Sequence, residues 1–211
     1  MTSKNGRATR QEIFDQLNRL LGPGAQAVVS QVVAHLQAGE VEQGLSVLGK
    51  FDENVGGVGL YKQRDQKLPG VYRPLTYVDM VLRNAHPEQF TRLAAYASCA
   101  HVEYVLKQAA HLGFLNELRV EKLPLGTIVK KAQKQLPASL YENLAWFSKS
   151  ICNVAKHDFD ARENLEDTDS LDSHLFDLDE AIAIYLIARK LTVDLEESFL
   201  EGSVSRDCTG W

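Results

Sequence analysis

The sequence predicts an all-α fold: an antiparallel helical bundle over 85–201, preceded by a helical subdomain over 1–84. Three observations carry this. Apolar residues recur at three- and four-residue spacing through most of the chain. Several of these runs open on Ser, Thr or Asp with Glu three residues later, the reciprocal pattern that satisfies free N–H groups at a helix start. Gly or Pro then closes them.

Thr9 and Glu12 form the first such box, and Ile13, Phe14, Leu17, Leu20 and Leu21 share the face behind it. Gly22, Pro23 and Gly24 end that helix. Ala25 to Ala38 reads as a second helix through Val28, Val29, Val32, Val33 and Leu36, and a short third piece holds Val41, Leu45 and Leu48. Over 49–74 the periodicity gives way to Gly56, Gly57, Gly59, Pro69, Gly70 and Pro74, read as a long loop with room for a small hairpin. Leu75 to Leu82 is helical again.

Pro87 suits the first turn of a helix reaching Leu112, with Gly113 past its end. Thr127 to Gln135 forms the next, closed by Pro137. Ser139 and Glu142 cap a helix over Leu140 to Lys156. Asp177 and Glu180 hold the same positions before a long helix ending near Phe199, whose apolar residues include Ile182, Tyr185, Leu186, Ala188, Leu191 and Leu195. Few Pro, Gly or Ser residues separate Leu75 from Pro87, so the two parts are expected to pack together. The tail over 202–211 is expected to be loose.

Composition narrows the function classes. With 45% hydrophobic and 24% charged residues the chain can build a core, which excludes wholesale disorder. A net charge of −5 excludes a surface that attracts nucleic acid everywhere, so any phosphate contact must be local. The polar N-terminus has no apolar signal core, and charge interrupts every apolar stretch before membrane-spanning length. Cys99, Cys152 and Cys208 have neither CxxC spacing nor an even count. A reducing, cytoplasmic setting without a membrane partner is the expectation.

The helix over 140–156 carries the chemistry. Leu140, Leu144, Phe147, Ile151 and Val154 form a core seam, while Lys149, Asn153 and His157 follow one another at four-residue spacing on the other side, with Lys156 beside them. On most helices such a face is simply solvated. Trp146 stands one turn before Lys149, and a large aromatic among polar groups suits a subunit contact or a stacking platform.

The hexapeptide from Cys152 to His157 is similar to the Arg-Asn-x-x-x-His signature near a helix end in HEPN domains. Glu103 to Lys107 resembles that family's Glu-x-x-Leu-Lys stretch, and the four-helix order over 87–199 agrees loosely. The resemblance implies a HEPN-like bundle, commonly a homodimer, with Trp146 at or near the contact. It also implies metal-independent RNA cleavage in active members, where Arg and His of two subunits meet in one cleft, and so no cofactor. On this chain His157 matches the proton-transfer residue and Asn153 the polar residue after the Arg. Cys152 stands where the Arg would be. The resemblance therefore implies a degenerate or weak ribonuclease site, with Lys149 or Lys156 as substitute charge. It further implies a toxin–antitoxin or antiphage setting, with RNA, a nucleotide or a protein as partner.

Lys130, Lys131 and Lys134, with Arg119 and Lys122 nearby, offer a local basic patch for RNA. Over 158–180 the chain is acidic, read as a solvated linker. Two rival functions remain. One is a helical interaction module without chemistry. The other is an HD-type metal phosphohydrolase using His157 and Asp158, which needs a further His (His101 or His111) and an Asp such as Asp194. The acidic stretch lacks the Gly and spacing of a calcium loop, and Gly56 to Gly59 lacks the Lys-Ser/Thr of a phosphate loop. His35, His86 and His174 read as surface or capping residues, and Cys99 as a small core residue.

Overall fold

A computed structural model describes residues 7–54, 69–111, 113, 115, 120–157 and 175–203. These are all-helical, without a strand among the described residues. The glycine loop at 56–59 and most of the acidic stretch lie outside them, as do Arg119, Asp158, His174 and Cys208.

Helix α1 (Arg10–Leu21) opens on the expected box: Glu12 N–H donates to Thr9 Oγ1 and Thr9 N–H donates to Glu12 Oε2 at 2.7 Å. It stops at Gly22, whose φ of 87° lies in the region that glycine enters without strain. Helix α2 (Ala25–Gln37) and α3 (Val41–Asn54) pack as a pair. Helix α4 spans Pro69–Leu82. Of the loop expected over 49–74, residues 49–54 and 69–74 are instead helical, because α3 continues to Asn54 and α4 already contains Pro74. Pro74 is the sixth residue of α4, past the first turn, so the helix forgoes one intrahelical N–H···O bond there.

A 3₁₀ turn, Pro87–Phe90, leads into α5 (Thr91–His111). Helix α6 (Leu125–Ala132) begins and ends earlier than its apolar pattern predicts. Helix α7 (Ala138–Phe147) is not capped by Ser139: Pro137 takes the N-cap position with ψ near 141°, leaving Ser139 inside the first turn. A π-helical turn, Ser148–Cys152, joins α7 to α8 (Asn153–His157). Helix α9 (Leu178–Ser203) starts where Asp177 N–H donates to Glu180 Oε2 at 2.8 Å.

Helix α9 is the spine. Every residue from Ala181 to Arg189 is buried, because α1, α2, α5 and α7 surround it. A helix enclosed on all sides loses its amphipathic stripe, which explains its nearly continuous apolar run. α4 lies along α5 on the far side. One contiguous hydrophobic cluster runs from Ala8 and Ile13 through α9 to Leu195, so α1 and α2 share the core of the bundle. No helix among the described residues is long and apolar enough to cross a membrane.

One polar cluster is sealed inside. Arg189 Nε donates to Asp52 Oδ1 at 3.1 Å, and its Nη1 lies 2.8 Å from His101 Nε2 and 3.3 Å from Thr192 Oγ1. Asp52, His101 and Thr192 are fully buried and Arg189 nearly so. The guanidinium can only donate, so His101 accepts through Nε2 and carries its proton on Nδ1. Burial, then the Asp52 charge, pushes the Tyr185 hydroxyl well above its ordinary pKa. The cluster ties α3, α5 and α9 together.

Candidate functional site

The motif helix departs from regular geometry at the residues that matter. Within the π turn Asn153 N–H donates to Ser148 O, five residues back. The Ser150 carbonyl accepts from Ala8 N–H at 3.1 Å, which stitches the segment before α1 to this turn. A π turn winds less per residue than an α turn, and such turns recur at functional sites. Here Ser148, Ile151 and Cys152 are all carried inward, to exposures of 3%, 0% and 2%. The expected core seam of Leu140, Leu144, Phe147, Ile151 and Val154 is buried throughout.

Cys152 is joined to Cys99 of α5 by a disulfide, with their Cα atoms 5.5 Å apart. Neither the spacing nor the odd count of the cysteines pointed to this bond: residues 53 apart in sequence are brought together by helix packing, which spacing cannot reveal. Cys99 is a core residue as expected, but a covalent one.

Lys149 and Asn153 are exposed on the outer side of the motif helix. His157 is the last residue of α8, and the position of its side chain lies outside the described residues. Lys156 is half-buried. Its Nζ lies 2.6 Å from Glu103 Oε2 and 5.9 Å from the Tyr96 ring centroid, while Lys107 Nζ lies 2.7 Å from Glu103 Oε1. The two stretches singled out in the sequence therefore meet through Glu103 and Lys156. Burial opposes ionisation of Glu103, but hydrogen bonds from Lys107 and Lys156, with their charges, outweigh it and hold the carboxyl below its ordinary range. A lysine bound in this way is a poor substitute for a freely presented arginine fork.

Trp146 is half-buried and packed against the core, less exposed than its polar neighbours imply. Lys130 and Lys131 on α6 and Lys134 just beyond are exposed. Helix α6 leans on α7 and the π turn so closely that a Cβ on Gly126 would stand 3.0 Å from Ser148 Oγ. The basic patch thus neighbours the motif helix. Of the residues nominated for an HD centre, His101 is engaged by Arg189, Asp194 by Lys190, and His111 is exposed at the end of α5. Among the described residues no three His, Cys, Asp or Glu side chains gather as a metal-binding group. His35 and His86 each face a carboxylate, Glu40 at 2.7 Å and Glu88 at 3.4 Å.

No family model, no curated protein and no solved structure matches this chain.

Sequence reasoning missed the aromatic face of α4 and α5. Tyr77, Met80, Phe90, Leu93, Tyr96 and Tyr104 are all more than a third exposed. A cleft of about 450 Å³ opens beside Tyr77, Leu93, Tyr96 and Tyr104. Leu93, Tyr96, Ala100 and Tyr104, at three- and four-residue spacing along α5, were the available signal.

Proposed function

We propose that this chain is a HEPN-like helical-bundle protein that binds RNA, as a homodimer, without cleaving it. The observation that carries the reading is Cys152. At the position of the phosphate-gripping arginine stands a thiol that is 2% exposed and bonded to Cys99. The fork needed to stabilise a pentacoordinate phosphorus is missing, and the loss of one preorganised donor of this kind slows a reaction roughly 100- to 1000-fold. Support for RNA binding comes from exposed Lys149 and Asn153 on one side, and from exposed Lys130 and Lys131 on the adjacent helix with Lys134 just beyond its end.

The test incubates the purified protein with labelled single-stranded RNA in EDTA, reading mobility shift and strand length together. Retarded, intact RNA is the expected result, with retardation weakened by Lys149→Ala combined with Asn153→Ala. EDTA-resistant cleavage that disappears in His157→Ala would refute it and make the site a live nuclease. Light scattering reads the dimer, and a monomer at high concentration removes that part. A second reading, an interaction module for another protein, is favoured by exposed Met80 and Phe90. It takes over if the protein retards no RNA.

A further inference from the structure

We propose that the cleft between α4 and α5 is a base-stacking site, taking a planar nucleobase with its phosphate, either as a free nucleotide or as one unit of a single strand. At about 450 Å³ the cleft falls within the size of small-ligand sites. The rings of Tyr77, Tyr96 and Tyr104 line it, and they are 42%, 45% and 48% exposed. Rings so exposed contribute little to the core, yet each offers a π face. Ala97 and Ala100 line the cleft between the α5 tyrosines. Their single methyl groups let a flat ring approach α5 where a larger side chain would hold it off. Tyr96, Ala100 and Tyr104 follow at four-residue spacing, so they share one face.

Charge selects the occupant. Among the described residues the lining includes Arg73 and no carboxylate. Lys156 adds a second cation near the Tyr96 ring. Glu103, the residue before Tyr104, is already shared between Lys107 and Lys156. In a chain of net charge −5 this local balance favours an anion. A phosphate joined to a flat ring meets both features: tyrosines stack the base and the Arg73 fork takes the phosphate. A proline-rich peptide, another ligand of aromatic grooves, leaves Arg73 without a role.

The cleft goes beyond the RNA-binding reading: it meets the motif helix at Lys156 but uses neither Lys149 nor Asn153. The experiment titrates AMP, UMP, a uridylate decamer and a proline-rich decapeptide into full-length protein carrying ¹³C-labelled tyrosine rings. AMP or UMP should move the Tyr77, Tyr96 and Tyr104 resonances. Tyr96→Ala and Tyr104→Ala should each weaken binding roughly 5- to 100-fold, while Tyr96→Phe and Tyr104→Phe retain it. Arg73→Gln should weaken AMP and leave adenosine unchanged. Decamer affinity well above that of UMP assigns the cleft to a strand, and equal affinity assigns it to free nucleotide. Silent tyrosines with all three nucleotide probes overturn the inference, as does unchanged affinity in the Tyr96→Ala/Tyr104→Ala double variant. A response to the peptide alone does the same. If the decamer is still retarded and depends on Lys149 and Asn153 in those cases, the motif reading survives without the cleft. If AMP binds the cleft while no RNA is retarded, the cleft stands and the motif reading fails.

Discussion

Removing Asp52 should be among the most damaging single changes available in this protein. Its carboxylate is fully buried, 3.1 and 3.5 Å from Arg189 Nε, and the Arg189 side chain is 3% exposed. At an effective dielectric of about 20, charges 3.1 Å apart attract by about 5 kcal/mol, a sum that desolvation of both ions largely cancels when the pair is intact. Asp52→Ala abolishes the attraction but leaves the guanidinium in the interior. The expected loss is about 3–5 kcal/mol. For a domain of this size that lowers Tm by roughly 6–20 °C. Arg189→Met should cost a similar amount by stranding the carboxylate. The double variant Asp52→Leu/Arg189→Met removes both charges and should recover most of the loss, since apolar replacement of a buried pair is commonly neutral or better. Urea denaturation followed by far-UV circular dichroism gives the three differences. A single variant within about 1 kcal/mol of wild type, or a double variant as unstable as the sum of the singles, would refute the reasoning.

Three further outcomes are expected. Under denaturing, non-reducing conditions one of the three cysteines should react with Ellman's reagent, Cys208. Reduction should lower stability by up to about 4 kcal/mol, the loop-closure value for 53 residues. Cys152→Arg should not awaken a nuclease: it should cost more than about 3 kcal/mol in thermal or urea melts, because it buries an unpaired charge in the seam. The carboxyl of Glu103 should titrate below the ordinary carboxylate range by NMR. Its folded value is depressed, so its contribution to stability is present above about pH 4.3 and lost as pH falls through the folded value. Lys107→Met with Lys156→Met should raise that value, since burial then acts unopposed, and an unchanged titration would contradict the ion-pair assignment.

Helix existence was legible because it depends on local signals: the Thr9–Glu12 box, the Gly22 stop and the seam from Leu140 to Val154 are each written within a few residues. What was not legible depends on partners distant in sequence. Ser139 looks like a cap until Pro137 takes the position. Arg189 sits in an apolar run without any local hint of Asp52, 137 residues away. Cys99 and Cys152 pair only once α5 meets the π turn. The half-buried state of Trp146 follows from core contacts that a helical wheel does not contain. Lys149 and Asn153 were placed correctly on the outer side because exposure opposite a strong seam is a property of one helix.

The π turn also bears on how this chain can diverge. It behaves as a splice between two helical phases, one set by the seam in α7 and the other by the segment 153–157. Deleting one residue between 148 and 151 would restore an unbroken α-helix, and because five residues of the slower π turn wind about as far as four α residues, everything after it would keep nearly its present facing. The Asn153 and Lys156 side chains would then point much as they do now, with not one letter of the motif altered. A one-residue insertion or deletion here is thus a length change that descendants could absorb with the same residues still shown, and sequence identity over 152–157 alone would fail to report that it had happened.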